Sequence, residues 1–183
     1  MSDVPILKGK LILLRNIKPS DIDDRLNFGR PNEFKYMCGG NRTETEEFPH
    51  REEWENWYQS VLKKEYTWII EYKGKCIGSA GLHHISKEDN NATYAIGMWD
   101  VENFSKGIGT EATKLILGYA FHVLKLHRVD LKVLDYNERG RKCYEKCGFK
   151  VDGILRENAF IEGSYHSDII MSILENEFHN PDC

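Results

Sequence analysis

The chain has 183 residues, of which 40% are hydrophobic and 30% charged, a composition typical of a single folded domain covering residues 1-183. A net charge of -4 and a pI of about 6.0 argue against nucleic-acid binding and mildly favour a cationic partner. The sequence shows no secretion signal, no apolar run long enough to span a bilayer and no Cys-x-x-Cys pair, so we expect a cytoplasmic protein that does not bind membranes.

The first half of the chain alternates predicted strands with predicted helices. Ser20 follows a proline and is the expected N-cap of the first helix. The second helix has an apolar stripe that includes Trp54, Trp57 and Val61. In chain order, the sequence predicts a strand at 11–17, a helix after Ser20, an irregular segment at 29–48, a helix from Pro49, and strands at 66–72, 75–85 and 92–99.

The second half carries stronger signals. Residues 110–125 place apolar side chains at i, i+3, i+4 and i+7, which predicts an amphipathic helix, and alternating apolar residues predict a strand at 128–134. Asn137 is the expected N-cap of a further helix that ends at Gly148. Because a strand, a helix and a strand follow one another, we expect two parallel neighbouring strands joined by a right-handed crossover. The last predicted strands are at 149–154 and 167–174.

Two glycines lie between the strand at 92–99 and the helix at 110–125. Glycine lets the backbone approach a ligand closely with its N–H groups exposed. The following helix adds free N–H donors and a partial positive charge at its first turn. We therefore predict a cradle for phosphate or pyrophosphate, with N–H groups from Lys106, Gly107, Ile108, Gly109 and Thr110.

Three motifs carry a family resemblance. They are LKGKLILLR at residues 7–15, KGIGTEA at 106–112, and the helix that begins at Asn137 and leads into YEKCGF at 144–149. With these motifs the chain resembles the GNAT N-acetyltransferase superfamily, and within it the subgroup that includes the ribosomal-protein N-terminal acetyltransferases. The resemblance implies a single α/β (α+β) domain. Its mixed, mostly antiparallel sheet should splay open between two parallel strands and carry helices on both faces.

The resemblance also implies an enzyme, an acetyl-CoA-dependent N-acetyltransferase. Such an enzyme transfers the acetyl group of acetyl-CoA to a primary amine, of a small molecule or a protein N-terminus, by direct attack of the amine on the thioester. We expect acetyl-CoA as the cosubstrate and no metal. The predicted cofactor-binding residues are Met98, Trp99, Lys106, Gly107, Ile108, Gly109, Thr110 and Asn137.

Four of the site residues have predicted roles in the chemistry. The resemblance places Tyr144 beside the CoA sulfur, where a phenol that is protonated at neutral pH can donate a proton to the leaving thiolate. It places Asn137, the second predicted catalytic residue, against the pantetheine arm of the cofactor. The backbone N–H groups of Met98 and Trp99, at the end of the strand before the loop, are candidates for stabilising the oxyanion.

The sequence leaves the general base open, with His83, His84, Glu102 or a water chain as candidates. A zinc site that combines the histidine pair with Cys143 and Cys147 is a less favoured interpretation, because buried thiols and surface imidazoles explain these residues more simply.

Two functions of other classes also remain open. One is a non-catalytic acyl-CoA-binding module. The other is a dinucleotide-binding oxidoreductase, because Gly107-x-Gly109-x-x-Ala112 fits the glycine fingerprint and Asp130 lies downstream. The acceptor amine is not identified, and the oligomeric state, monomer or homodimer, is unknown. A cationic acceptor would suit the acidic residues Glu44, Glu46, Glu47, Glu52 and Glu53.

Overall fold

The computed structural model describes residues 4–40 and 50–179, which form one mixed sheet flanked by helices. The strands are β1 (Leu7–Lys8), β2 (Leu13–Arg15), β3 (Thr67–Tyr72), β4 (Lys75–Ser86), β5 (Asn91–Met98), β6 (Arg128–Leu134), β7 (Lys150–Ile161) and β8 (Ser164–Leu174). The helices are α1 (Asp21–Phe28), α2 (Asn32–Met37), α3 (Arg51–Leu62), α4 (Ile108–His122) and α5 (Glu138–Lys146), with short 3-10 turns at Val101–Asn103 and Glu175–Glu177.

The sheet has the strand order β1-β2-β3-β4-β5-β6-β8-β7, and β5 and β6 are its parallel pair. This pair runs from Asn91 opposite Arg128 to Thr93 opposite Asp130 and then separates, although both strands continue. All other pairings between described strands are antiparallel. The predicted mixed sheet, splayed between two parallel strands, is therefore confirmed.

Helices cover both faces of the sheet, as predicted. Along β3, Trp68 and Ile70 point into the larger apolar cluster, which also contains the buried residues of α4. Ile69, between them, points to the other face and packs in a smaller cluster with Cys76 and Trp99. Because successive side chains of a strand point to opposite faces of the sheet, each face has its own apolar core. Within the described chain, no helix has the length and apolarity needed to cross a membrane.

Two predicted strands have other bounds in the structure: the strand predicted at 11–17 is only β2, Leu13–Arg15, and the one predicted at 149–154 continues as β7 to Ile161. Three predictions about the helices also differ from the structure. Ser20 precedes α1 but is itself helical, at φ -63 and ψ -18, and its side chain caps nothing; instead the Asp21 carboxylate accepts the Lys18 N–H at 2.7 Å. The irregular segment contains α2, which has no buried residue and hence no apolar stripe to reveal it. Helix α4 begins two residues before the predicted start, so Gly109 lies in its first turn. The predicted helix start at Pro49 lies outside the described residues.

A carboxylate ties the N-terminal hairpin to α4. Glu111, in the first turn of α4, accepts backbone N–H groups of Lys10 at 2.6 Å, Leu11 at 2.9 Å and Ile12 at 3.1 Å. A Cβ at Gly9 would lie 2.6 Å from the carboxyl carbon of Glu111, so a side chain there would displace this carboxylate. This contact places the turn between β1 and β2 beside the predicted phosphate loop.

Candidate active site

The opening between β5 and β6 leaves backbone groups of β5 without a strand partner. The Trp99 N–H donates to the carbonyl of Ile77 on β4 at 3.0 Å. Because backbone groups alternate along a strand, the N–H of Met98 faces away from β4, toward the side where β6 has already separated. The end of β5 therefore presents a free donor to the opening.

The predicted cradle lies at the start of α4. Gly107 is its N-cap with φ 84, and no side chain caps the helix. Ser105, two residues earlier, also has a positive φ of 61. The Glu111 N–H bonds to the Gly107 carbonyl, which leaves the N–H groups of the preceding first turn for a ligand. Alternating left-handed residues before a helix N-terminus form a concave surface suited to an anion.

A cavity of about 580 Å³ joins the cradle to the opening, a volume within the usual range for small-molecule sites. We call the part of it formed by residues 105–110 the cradle, and the part formed by Phe34, Met37 and Cys38 the α2 wall. Among the predicted site residues, those that line the cavity are Met98, Gly107, Ile108, Gly109, Thr110, Asn137 and Tyr144.

Two predicted cofactor-binding residues do not line this cavity. Trp99 is buried in the smaller core cluster, where its indole N–H donates to the Cys76 carbonyl at 2.9 Å. Because its backbone N–H is bonded to β4 as well, Trp99 cannot act as the oxyanion donor in this structure, and that prediction is corrected. Lys106 lies in the loop, but its amino group donates to the Asn103 side chain at 2.7 Å.

The two predicted catalytic residues lie on α5 and at its start. Asn137 is the N-cap, as predicted: its Oδ1 accepts the Gly140 N–H at 2.9 Å, and its Nδ2 donates to the Met37 carbonyl at 3.4 Å. Tyr144 packs edge-on against Tyr94, and its hydroxyl makes no hydrogen bond to any other described residue. Burial raises the pKa of Tyr144, so its phenol is protonated at neutral pH and free to donate into the cavity.

The cavity also contains residues that the sequence did not identify as site residues. Cys143 lies across from the cradle, with its Sγ 3.3 Å from the Thr110 hydroxyl. The neighbouring Cys147 thiol and the Thr110 hydroxyl lower the pKa of Cys143 below the ordinary range of a thiol. The cavity is also lined by three positively charged residues of α5, namely Arg139, Lys142 and Lys146. Their spacing after the predicted N-cap was the signal in the sequence that could have identified them.

None of the three candidate base side chains lies among the described cavity residues. His83 is half-buried on β4, and burial, with the positive charges of Lys64 and His84, lowers its pKa. Glu102 belongs to the 3-10 turn before the cradle. A water chain is the remaining candidate for the base.

Two alternative interpretations fail on the geometry. Asp130 is the third residue of β6, where it accepts the Thr93 hydroxyl at 2.9 Å, whereas the acidic residue of a dinucleotide site should end its strand. The mostly antiparallel sheet also differs from a dinucleotide-binding fold. In the described residues, no three His, Cys, Asp or Glu side chains group in a way that could hold a metal ion.

Comparison with known proteins gives a consistent result. The family described as "Acetyltransferase (GNAT) domain" matches residues 12–150. A Bacillus subtilis (strain 168) protein named as an N-acetyltransferase, YjcK, is 29% identical over 97% of this chain and 98% of its own length. A second protein of that strain, named as a ribosomal N-acetyltransferase, YdaF, is 32% identical over 58% of each chain.

Among solved structures, the chain is similar to spermidine N-acetyltransferase from Vibrio cholerae in complex with CoA and spermine. The two share 25% identity with a TM-score of 0.76, over 94% of this chain and 100% of the other.

Proposed function

The chain belongs to the GNAT acetyltransferase family, and we propose that it transfers the acetyl group of acetyl-CoA to a primary amine by direct attack on the thioester. The predicted family, the class of enzyme and the cosubstrate acetyl-CoA are confirmed. The acceptor, the site residues and the direct attack belong to the proposal.

One observation carries the proposal, namely that the cradle, the opening of the sheet and the tyrosine of α5 all border the same cavity. The free N–H groups of the cradle suit the pyrophosphate of the cofactor. Its phosphates would also meet the positive side chains of Arg139, Lys142 and Lys146, against one carboxylate, Glu138, in the described lining. The pantetheine arm would then extend past Asn137 to the opening.

The chemistry follows from the groups at the opening. We propose that the Met98 N–H stabilises the oxyanion that forms when the amine attacks the thioester carbonyl. Tyr144 then donates its proton to the departing thiolate. The attacking amine must lose a proton, and we assign that transfer to water, because no candidate base side chain borders the cavity.

The α2 wall lies across the opening from α4, so we propose that the acceptor amine enters along it. Its members Phe34, Met37 and Cys38 present apolar and sulfur atoms rather than charges. Spermidine and the N-terminus of a protein are both candidate acceptors, because similar proteins are named as a spermidine N-acetyltransferase and a ribosomal N-acetyltransferase.

The thiols of the described cysteines are free, which fits the cytoplasmic location that we propose.

An acceptor screen tests the function. Purified protein is incubated with acetyl-CoA and, in separate reactions, spermidine, spermine, an aminoglycoside, an amino sugar and short peptides with free N-termini. Mass spectrometry then detects any product heavier by one acetyl group, and parallel reactions without protein serve as the control for uncatalysed transfer. If acetyl-CoA binds but no amine in the screen is acetylated, the acyl-CoA-binding module without turnover becomes the better interpretation.

A further inference from the structure

We propose that Arg139 couples the cradle to the α2 wall, so that binding of the cofactor fixes the side of the cavity where the acceptor enters. The proposal rests on the function proposed above. In it, Arg139 is a positioning residue, because it acts on the acceptor side through other residues.

Arg139 makes two contacts at once from the first turn of α5. Its guanidinium carbon lies 3.8 Å from the ring centroid of Phe104. Its Nη1 donates to Glu33 Oε1 at 2.6 Å. The guanidinium is flat, so its face can stack on an aromatic ring while its edge donates to a carboxylate. One side chain therefore joins the residue before the cradle to a residue of α2.

The contact with Phe104 reaches the cradle directly. The Phe104 N–H donates to the Val101 carbonyl at 3.2 Å and closes the 3-10 turn. Ser105 follows in a left-handed conformation, and both Phe104 and Ser105 line the cavity. A ligand held by the cradle would fix this backbone and, with it, the ring on which Arg139 stacks.

The contact with Glu33 reaches a helix that is weakly held. Helix α2 has six residues, none of them buried, and no side-chain cap. The segment that precedes α5 contacts α2 at two further points. Tyr136 stacks on Tyr36, with 4.2 Å between the ring centroids. The Asn137 side chain donates a hydrogen bond to the Met37 carbonyl. Phe34 of α2 also meets Trp99 edge-on, with 6.4 Å between the ring centroids. Of the contacts named here, the Glu33 pair is the one that runs through Arg139 and Phe104 to the start of the cradle. A short helix without fully buried residues can shift when one contact changes.

A surface ion pair offers a simpler explanation. The side chains of Arg139 and Glu33 are 36% and 48% exposed, and an exposed pair adds little to stability. The two explanations differ in a measurable way. A surface ion pair holds α2 equally with and without the cofactor, whereas coupling makes the exchange of α2 amides depend on the cofactor.

Hydrogen exchange with free CoA as the probe distinguishes the surface ion pair from the coupling, and the acceptor need not be known. Peptides covering residues 105–112 and 32–38 are followed by mass spectrometry with and without CoA. In the wild type we expect CoA to slow exchange in both peptides, by about fivefold in α2, which is the lower end of typical coupling between sites. In Glu33→Gln, which keeps the Phe104 stack, CoA should slow only residues 105–112.

A matched variant controls for loss of charge from α5. Arg141→Gln removes an arginine whose partner, Glu145, lies on the same helix, so CoA should still protect both peptides. Equal protection of α2 in Glu33→Gln and wild type would overturn the coupling, as would protection of residues 105–112 without α2 in the wild type. Absence of protection at both peptides in the wild type would instead contradict the proposed cofactor site. Thermal unfolding confirms that each variant is folded.

Discussion

The two sides of the cavity are held in place by different means. The cradle begins α4, a helix of 15 residues with seven buried side chains, whereas the α2 wall belongs to a helix of six residues with none. Packing fixes α4 relative to the sheet, while α2 is held by Phe34 against Trp99 and by a few contacts with Tyr136, Asn137 and Arg139. The comparison indicates that the cofactor position is set by the core of the protein, and that the acceptor side can vary with little effect on the fold.

The sharpest test of the cradle is Gly109→Val. A Cβ at Gly109 would lie 3.6 Å from Cys143 Sγ and 3.7 Å from Met98 Sδ, so the two further methyl groups of valine must enter the cavity. We expect acetyl-CoA binding, measured by calorimetry, to be abolished while the fold is retained. Gly118→Val, in the same helix and away from the cavity, is the matched control. Undiminished affinity in Gly109→Val would remove the cradle from the proposal.

A second test addresses the chemistry rather than the binding. Tyr144→Phe keeps the ring and its packing and removes only the hydroxyl. We expect kcat to fall by about 10²- to 10⁴-fold, the usual cost of a lost general acid, with acetyl-CoA affinity nearly unchanged. Steady-state kinetics with the acceptor found in the screen measures both quantities. If the variant turns over like the wild type, Tyr144 is a packing residue and water protonates the sulfur.

The pKa of Cys143 gives a test that depends on pH. Its thiolate forms at a lower pH than that of an ordinary thiol, because the Cys147 thiol and the Thr110 hydroxyl lower its pKa. Iodoacetamide labelling of Cys143 should therefore rise at a lower pH than labelling of a thiol with an ordinary pKa near 8.5. Burial raises the pKa of Cys76, which should stay unlabelled. CoA should protect Cys143; labelling that is unaffected by CoA contradicts its place in the cofactor site.

The smallest effect on the protein is expected for a change at Asn137, where the start of α5 contacts α2. Asn137→Ala removes the cap of α5 and the contact with the Met37 carbonyl. We expect a loss of about 1 kcal/mol in the free energy of unfolding, the typical value for an N-cap. Asn137→Asp keeps an oxygen acceptor for the cap and should recover most of this stability. Urea unfolding measures both variants, and equal stability of Asn137→Ala and wild type would show that the cap contributes nothing.

The same contrast explains what could be predicted from the sequence. The fold was predictable because strand alternation, the apolar stripe of α4 and the glycines of the cradle are local patterns that core packing preserves. Helix α2 has no such pattern, since its stability comes from contacts with residues about 100 positions away, such as the one between Tyr36 and Tyr136.

The errors within the site have the same physical origin. Trp99 follows a strand of the expected length, but only the register with β4 shows that its N–H is already bonded. Cys143 has no local sequence signal, because its lowered pKa depends on Thr110, a residue of another helix. The group that deprotonates the amine could not be predicted, because no candidate side chain reaches the cavity.

The carboxylate of Glu111 has a consequence for the order in which the protein folds. It binds backbone groups of Lys10, Leu11 and Ile12, which lie 99 to 101 positions earlier in the chain. Contacts of such long sequence separation form late, because closing a long loop costs entropy before any contact repays it. During synthesis the first hairpin leaves the ribosome before α4 does, so its tie to Glu111 can form only after α4 has been made, even though β2 can already pair with β3.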